Sequence, residues 1–524
     1  MNSFNIHSET RKLNPELTSI QEFDIWSAPS DLDAFFKNLY FYYQQGGFWA
    51  YIVKELNRIF ILGFSLMFSS FLLGFVKWTK LLYEDHGRDV NAKEFVGYTI
   101  TSPVFNFVFV SYVCTVIVYI IIIACRFLHK VSQLHSIKYF YETYIKISDN
   151  DVCFYEWNDV LDKIIRLHNE NIIVIHRNKL FISSLDVTQR IMRQTNYFIA
   201  LVDENILGLD FFGNRRMSRV LQYTIDILLL RTLFNKQFHL ICEPMNFRMK
   251  SKFIGLIQLL VLPLSLLFLL VTFCFEHLEG IHSKHSNLST KEWSVYSHWK
   301  LSRYNELPHD HEKRLMTGKN NAHYYMGQYP SIKTGIAVET VLYCVGSCIG
   351  LLVCIGLFND DLLTEMHVLD RSFIWWIAVL GGLIGTLRIM RVDTTQFSVN
   401  RRNEYLHKLV KTVSIPNVDK NEHENNYRIL GSLFKYKILC FFDELIVLVC
   451  LPIWLMFYLP NEADAIYHYL NTKTCTMEFI GDVCVYGKFD VYTTSPHCVP
   501  VNNKLHESLT NFSYKPSSTF AEII

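Results

Sequence analysis

The sequence predicts an all-α polytopic membrane protein with four transmembrane helices, two re-entrant membrane helices and a helical cytosolic domain. Three observations lead to this prediction. Half of the 524 residues are apolar, the apolar residues gather into six runs, and lysine and arginine are spread unevenly between those runs. A soluble chain of this length would instead divide into several domains joined by polar linkers.

The six apolar runs are 59–76, 103–125, 253–275, 335–358, 373–387 and 438–459. Most of them reach the roughly 20 residues that a helix needs to cross a hydrocarbon core. No cleaved signal peptide is expected, because the first 58 residues are polar. The 13 cysteines show no C-x-x-C pair. We therefore expect neither a disulfide framework nor a zinc site.

The distribution of basic residues decides how many runs cross the membrane, because short cytosolic loops are enriched in lysine and arginine. If all six runs crossed, 21 basic residues would lie outside and 28 inside. If the third and sixth runs instead left the membrane on the side where they entered, 45 would be cytosolic and 4 luminal. The second arrangement is the one that shows a bias.

Prolines within the third and sixth runs offer a mechanism for such re-entry. Pro263 lies near the middle of the third run, and Pro452 lies in the sixth beyond Asp443 and Glu444. Proline removes a backbone donor and clashes with the preceding turn, so it kinks helices. The alternative is a kinked helix that still spans, which membranes tolerate.

This arrangement divides the chain into nine segments. Three lie in the first part of the chain: cytosolic 1–58, transmembrane 59–125 with a luminal loop at 79–102, and the cytosolic helical domain 126–252. The others are the re-entrant helix 253–275, cytosolic 276–334, transmembrane 335–390 with a luminal hairpin at 359–372, cytosolic 391–437, the re-entrant helix 438–459, and cytosolic 460–524.

A histidine-rich stretch, "WKLSRYNELPHDHEKRL" at 299–315, raises the question of a metal or acid–base site. In a helix, the spacing of His309 and His311 puts the two rings about 200° apart, which suits shared ligation poorly. The H-E-x-x-H motif of zinc proteases is absent. We therefore predict a solvated turn, with Pro308 ending one helix and Asp310 and Glu312 opening the next.

Polar side chains inside membrane segments are candidates for a functional role, because such groups are costly in hydrocarbon and are retained there for a reason. Thr340 and Ser347 are seven residues apart, on one face of the fourth run, and Glu339 precedes them. The remaining candidates of this kind lie in other runs: Asn106, Gln258, Asp443 and Glu444.

Two groups of basic residues have alternative interpretations. Arg248, Lys250 and Lys252 precede the third run, where they either anchor a re-entrant helix at the headgroups or attract phosphate groups to a functional site. Arg215, Arg216 and Arg219, in "GNRRMSRVL", are interpreted as a solvated helix start in preference to a headgroup site.

Six blocks spread along the chain resemble the autophagy-related protein 9 family. The one most typical of the family is "WSVYSHWKLSRYNELPHDHEKRL". The others are "DLDAFFKNLYFYYQQGGFWAYI" (31–52), "NYFIALVDENIL" (196–207), "NDDLLTEMHVL" (359–369), "LFKYKILCFFDEL" (433–445) and "GDVCVYGKFDV" (481–491). Members usually have a long cytosolic tail, so partner sites carried on such a tail are in doubt for a sequence printed to Ile524.

The resemblance implies four spanning helices, two helices that dip into one leaflet, and an interlocked homotrimer. It implies ATP-independent exchange of phospholipids between leaflets during autophagosome formation and expansion. A headgroup needs polar partners to pass through hydrocarbon, so the polar and basic residues named above would then be the candidates for a lipid path: Glu339, Thr340, Ser347, Arg248, Lys250, Lys252, Asn106, Gln258, Asp443 and Glu444. The implied locations are the preautophagosomal structure and Golgi-derived and endosomal vesicles. A lipid-transfer protein and other autophagy proteins would be partners. In this light Asn305 and Glu306 would brace the cytosolic core. We expect no cofactor, no metal, no nucleic-acid partner and no covalent chemistry.

Other classes of protein remain as alternatives. A channel would need a selectivity filter, and a secondary transporter would need paired half-repeats with broken helices. Pro263 and Pro452 mimic such breaks, but their flanking sequences show no internal similarity. No nucleophile–base pair of a membrane enzyme is visible at membrane depth. A non-catalytic trimeric scaffold of autophagy vesicles would need no polar path and stays open.

Overall fold

The computed structural model describes residues 31–77, 96–99, 102–170, 172–173, 175, 181–232, 234–235, 239–241, 243–278, 290–329, 332–358, 367–368, 371–390, 398–415, 418, 422–489, 504–505 and 508. In chain order the helices are α1 (Leu32–Gln45), α2 (Phe48–Gly74), α3 (Pro103–Phe140), α4 (Trp157–Asn169), α5 (Ser184–Asp203), α6 (Arg219–Leu228), α7 (Pro244–Leu278), α8 (Val295–Leu301), α9 (Pro308–Gly327), α10 (Ile332–Phe358), α11 (Phe373–Met390), α12 (Val399–Val413), α13 (His423–Leu433), α14 (Lys437–Ile453) and α15 (Ala463–Thr472).

Short antiparallel ladders accompany the helices. They pair β1 (Asp210–Phe211) with β2 (Asn214–Arg215), β3 (Lys291–Trp293) with β6 (Phe434–Tyr436), β4 (His367–Val368) with β5 (Arg371–Ser372), and β7 (Thr474–Met477) with β8 (Gly481–Cys484). The chain is mostly helical, as predicted. Strands of two to four residues are too short for the alternating pattern that identifies strands in a sequence.

All six apolar runs lie in helices. Among the described residues, five helical stretches are long and apolar enough to cross a membrane: Phe48–Gly74, Pro103–Ile145, Pro244–Phe275, Gly335–Gly356 and Lys437–Asn461. The sixth apolar stretch, Phe373–Gly385, is shorter. Large apolar side chains on these helices are widely exposed, as on Phe60, Phe105 and Leu260. Such a surface suits contact with lipid and would be a liability in water.

Several membrane helices are longer than the apolar runs that predicted them. Helix α2 begins at Phe48 and not at 59, α3 continues beyond 125, and α7 begins at Pro244. The predicted segment boundaries at 58, 125 and 252 therefore fall inside helices. Hydropathy marks only the apolar part of each helix, whereas its polar end packs through residues such as Tyr51 and Leu134.

Two hydrophobic clusters form the helical core, and α5 belongs to both. Its first half places Val187 and Ile191 in a cluster with α1, α4 and the end of α3. Its second half, from Tyr197, belongs to a cluster that extends through α6, α8, α9, α12 and α15. A buried ion pair fixes α1 on α5, since Arg193 Nε lies 2.6 Å from the Asp33 carboxylate.

Helices α7 and α14 lie side by side in antiparallel directions. Ser251 donates to the Leu455 carbonyl at 2.7 Å, and towards the other end the Phe273 and Phe441 rings stack with centroids 3.7 Å apart. Beyond Pro452, α14 continues through a π-helical turn, Trp454–Tyr458. Proline has no backbone N–H and its ring crowds the preceding turn, and a wider π-helical turn next to it fits this local change in the helix.

Both ends of α14 contact the same core. At its start, the amide of Lys437 donates to Thr290, next to the β3–β6 ladder. After its end, α15 packs into the larger cluster, and the Tyr469 hydroxyl donates to Ala200 of α5. In the apolar 18-residue stretch of α14, 33% of the residues are buried inside the protein, against 6–17% in the corresponding stretches of the other four candidate spans. Re-entry of α7 and α14 stays a prediction, and this geometry is compatible with it.

The chain before β1 packs closely against the end of α14 at Gly208, and a substitution there tests this packing. Gly208 has a φ of +57°, and a Cβ added there would lie 2.0 Å from the Tyr458 hydroxyl. We expect Gly208→Ala to lower the stability of the detergent-solubilised protein by about 2 kcal/mol, measured as a lower Tm.

The matched control is Gly213→Ala. Gly213 also has a positive φ, +73°, but no atom lies within 4 Å of the added Cβ. Only the backbone cost of about 1 kcal/mol applies there. Equal losses for the two variants would contradict the close packing at Gly208.

Candidate functional site

A cavity of about 1120 Å³ separates the start of α14 from core helices α5, α6, α8 and α9. We call it the charged cavity. Its walls carry six carboxylates, two guanidinium groups and three imidazoles, from Asp226, Glu292, Glu306, Glu312, Asp443, Glu444, Arg216, Arg219, His298, His309 and His311. Tyr223, Trp293, Tyr296 and Trp299 add aromatic surface.

Asp443 is the charged group of α14 with the closest ionic partners at this cavity. Its carboxylate lies 2.7 Å from Arg216 Nε and 2.6 Å from Lys435 Nζ. Glu444, the next residue, is 3.7 Å from Arg219. The Asp443 side chain is only 14% exposed, so water screens these charges weakly. Partners of this kind allow a carboxylate to occupy a helix of membrane hydropathy.

The interpretation of the arginine group as a solvated helix start is wrong for Arg216. Its guanidinium is 13% exposed and also donates to the Phe211 carbonyl. Arg219 is 86% exposed, so the interpretation describes that residue better. The sequence did contain a signal for the pairing, because a carboxylate within an apolar run requires a cation nearby.

The opposite wall of the charged cavity is formed by the histidine-rich stretch. The prediction of a solvated turn is wrong here, because Leu301 and Tyr304 are buried in the core. The predicted helix start is present: Pro308 occupies the first turn of α9, with Asp310 in the same turn. The stretch is largely buried and not solvated, because its polar groups form hydrogen bonds with partners inside the protein.

Glu306 is the centre of those contacts. Arg314 donates to its two carboxylate oxygens at 2.7 Å each, and His311 Nδ1 lies 3.3 Å from one of them. Burial alone would raise the pKa of the Glu306 carboxyl. Hydrogen bonds with His311 and Arg314 outweigh it and lower the pKa to about 2.

Asn305 links three distant parts of the chain. Its backbone amide donates to Asn196 at 3.0 Å, and its side-chain amide donates to the Gly487 carbonyl at 2.9 Å. Asn196 donates back to the Asn305 side chain at 2.8 Å. Asn305 is buried and has a φ of +55°, a conformation that asparagine tolerates better than most residues. These are the contacts that a bracing role requires.

The histidines have partners other than a metal. His309 Nδ1 lies 2.8 Å from the Tyr40 hydroxyl, and the His298 and His311 rings are 5.8 Å apart. Burial lowers the pKa of His298, and His311 lowers it further. Within the part of the chain that the structure describes, no group of three or more His, Cys, Asp or Glu side chains is placed to hold a metal ion.

Glu339, Thr340 and Ser347 lie apart from the charged cavity. All three are exposed on α10, and no described residue of α10 lines the cavity. The Thr340 hydroxyl donates to Ile336, and the Ser347 hydroxyl donates to Tyr343, each at 2.8 Å. Both hydroxyls therefore turn back to their own helix, while the face that carries them is uncovered.

The other predicted path residues are also dispersed. Asn106 is exposed near the start of α3 and accepts from Tyr98 at 2.7 Å, and Gln258 is half-buried on α7. Arg248 donates to the Pro460 carbonyl and to Asp464. Lys250 and Lys252 are exposed on the same helix. Arg248 therefore ties the start of α7 to the segment between α14 and α15 and to the first turn of α15, and the choice between headgroup anchoring and path lining stays a prediction.

Together, these features define a class: a polytopic α-helical membrane protein whose helical core borders an open charged cavity beside a membrane helix. Residues 24–490 match the family model described as "Autophagy protein ATG9". The chain belongs to this autophagy protein family, and the resemblance of the six sequence blocks is thereby confirmed.

Curated relatives named "Autophagy-related protein 9" agree with the family model. The protein from Dictyostelium discoideum is 26% identical over 489 residues, which cover 88% of this chain and 67% of that protein. The Arabidopsis thaliana protein is 25% identical, and the match covers 57% of its length. A Saccharomyces cerevisiae protein is 24% identical, and the match covers 48% of its length. The chain thus spans about half to two thirds of the length of these relatives.

A solved structure shares the fold. The cryo-EM structure of Schizosaccharomyces pombe Atg9 is 21% identical in sequence and superposes with a TM-score of 0.65. The match covers 89% of this chain and all of that chain.

The Glu306 contacts generate a prediction about pH. Glu306→Gln keeps the side-chain shape but leaves the buried guanidinium of Arg314 without a charged partner. We expect a loss of stability on the order of 3 kcal/mol at pH 7. The wild-type pKa falls on folding from 4.5 to about 2. The carboxylate's contribution is therefore complete above about pH 4.5 and is lost as the pH falls towards 2.

The measurement is the difference in Tm between the wild-type and Glu306→Gln proteins in detergent, followed from pH 7 to pH 3. We expect this difference to shrink below pH 4.5. Glu312→Gln is the control, because Glu312 lines the same cavity but is exposed. A difference that stays constant across the whole range would contradict the lowered pKa of Glu306.

Proposed function

We propose that this chain is an ATP-independent phospholipid scramblase that moves lipids between membrane leaflets during autophagosome formation and expansion. Membership of the autophagy family supports the cellular process. The observation that supports the activity is the ionic cluster around Asp443, which a helix of membrane hydropathy presents to a cavity of about 1120 Å³.

The chemistry of the charged cavity suits a phospholipid headgroup. A zwitterionic headgroup carries a phosphate and a cationic amine, and both are costly to bring into hydrocarbon alone. Arg216 and Arg219 offer guanidinium groups to the phosphate, and the six carboxylates offer partners to the amine. The acyl chains would stay outside, against the exposed apolar side chains of α14, such as Ile453 and Phe457.

The membrane arrangement that we propose has α2, α3, α10 and α11 as crossing helices, with α7 and α14 as re-entrant helices. Support comes from the contacts of both ends of α14 with one core and from the charge bias of the sequence. The cavity would then lie at the cytosolic leaflet. A headgroup that leaves it would follow the uncovered polar face of α10 that carries Glu339, Thr340 and Ser347.

We also propose a homotrimer on Golgi-derived and endosomal vesicles and at the preautophagosomal structure. A lipid-transfer protein and other autophagy proteins would be its partners. Family membership is the support for these three proposals. No cofactor and no covalent step is included, because passive exchange needs only a polar path between the leaflets.

Exchange by the purified protein in liposomes tests the function. The liposomes contain a fluorescent phospholipid that an impermeant reductant destroys in the outer leaflet. With a scramblase present, the inner-leaflet probe is also lost within the time of the assay. Protein-containing liposomes that keep the inner-leaflet probe would favour the alternative of a non-catalytic scaffold.

Variants at two places test the proposed lipid path: the acidic pair of α14 at the charged cavity, and the polar face of α10. We expect Asp443→Asn with Glu444→Gln, and separately Glu339→Leu with Thr340→Leu and Ser347→Leu, each to slow exchange about tenfold or more. Loss of one well-placed polar interaction of about 1.4 kcal/mol already gives a factor of ten. The control for the leucine variant is Cys344→Leu with Cys348→Leu, which adds bulk at exposed positions of the same helix.

The control should exchange lipid at the wild-type rate, and both leucine variants should elute from a sizing column as the wild type does. The Asp443 variant is scored only where its elution matches the wild type, because Asp443 also holds α14 against the core. A well-assembled leucine variant that scrambles normally would remove α10 from the path and leave the charged cavity. If the Asp443 variant also exchanged at the wild-type rate, the proposed path would be wrong.

A further inference from the structure

The β1–β2 hairpin ends in an aromatic residue that the charged cavity does not use. The two residues of its turn, Phe212 and Gly213, have φ values of +50° and +73°. Glycine and asparagine are the residues that suit such a turn. A bulky residue in this conformation is an outlier, and Phe212 is also 78% exposed. An outlier of this kind is a reason to look for a function.

The hairpin is fastened to α14 on both sides. Before β1, Gly208 is in contact with the ring of Tyr458, at the end of the π-helical turn. After β2, Arg216 reaches the Asp443 carboxylate near the start of α14. The hairpin therefore lies alongside α14, between these two contacts, with Phe212 at its free tip.

The outward surface of α14 indicates what surrounds this tip. The helix has membrane hydropathy, and a series of its large apolar side chains is exposed: Leu439, Phe442, Val449, Ile453 and Phe457. Such a surface suits contact with lipid. The hairpin itself carries Asp210, Asn214 and Arg215, which exclude it from the hydrocarbon interior.

An apolar tip on a polar hairpin beside an apolar, exposed helix surface suits the boundary between headgroups and acyl chains. Phenylalanine is among the residues that interfacial segments bury at that depth, and arginine side chains extend from it towards water. Arg215 is 44% exposed and lies 3.6 Å from Asp210, and it also donates to the Tyr296 hydroxyl at 3.4 Å, which ties the charged base of the hairpin to the core.

We propose that the β1–β2 hairpin is a membrane-interface wedge, in which the ring of Phe212 inserts among the acyl chains just below the lipid headgroups. The partner is the bilayer surface that continues from the apolar face of α14. The wedge is independent of lipid exchange, because insertion of a hairpin tip requires no movement of lipid between leaflets.

The test places an environment-sensitive fluorescent amino acid at position 212 of the full chain. The matched control carries it at 479. Phe479 also has a positive φ, +63°, in the turn between β7 and β8. Its carbonyl, however, accepts from Arg190, a buried residue of α5, which holds this turn against the core.

Both proteins are reconstituted into phosphatidylcholine–phosphatidylserine vesicles with spin labels at a shallow or a deep position of the acyl chain. We expect shallow labels to quench the fluorophore at 212 at least twice as strongly as deep labels, and neither label to quench it at 479. Aqueous iodide should quench position 479 more than position 212.

Two outcomes would overturn the wedge. Strong quenching of position 212 by iodide, without quenching by either lipid label, would place the tip in water. Quenching by neither iodide nor lipid would mean that protein covers the tip, for which a second copy of this chain is the first candidate. Crosslinking of the reconstituted protein would then identify that neighbour.

Discussion

The carboxylate of Asp443 joins the membrane part of the molecule to its core. A charge on a helix of this hydropathy is stable only with partners, and removing one partner of a buried pair costs about 3–5 kcal/mol. Arg216 brings the β1–β2 hairpin to the helix, and Lys435 brings the β3–β6 ladder. The position of α14, the wall of the charged cavity and the placement of the hairpin all depend on these contacts.

One consequence is that the boundary between membrane and core does not coincide with the ends of helices. Helix α3 is apolar where it begins and buries Leu134 and Phe140 in the core where it ends. Helix α7 contributes Phe247 to the core and exposes Leu260 further along. Apolar side chains thus continue from the buried core onto the exposed surface of the candidate membrane helices, and the polar groups around Asp443 lie at this junction.

The sequence predicts what depends on local pattern. The six apolar runs, the helix start at Pro308 and the family follow from composition, proline placement and short blocks of residues. It fails where contacts join distant parts of the chain. Arg216 and Asp443 are 227 residues apart, and Asn305 binds Asn196 and Gly487, which are 109 and 182 residues away. No periodicity reveals such pairs, so the stretch around Glu306 looked solvated.

The central claim is that α7 and α14 enter and leave the membrane on the side of the core. The most direct measurement is antibody access to short epitope tags in cells whose plasma membrane alone is permeabilised. One tag is inserted at 236–238, before α7, and a second at 279–289, after it. A third at 79–95, between α2 and α3, is the reference for the opposite side. The account predicts that the first two tags are stained and the third is protected. Protection of the tag at 279–289 together with the reference would show that α7 crosses the membrane and would contradict the account.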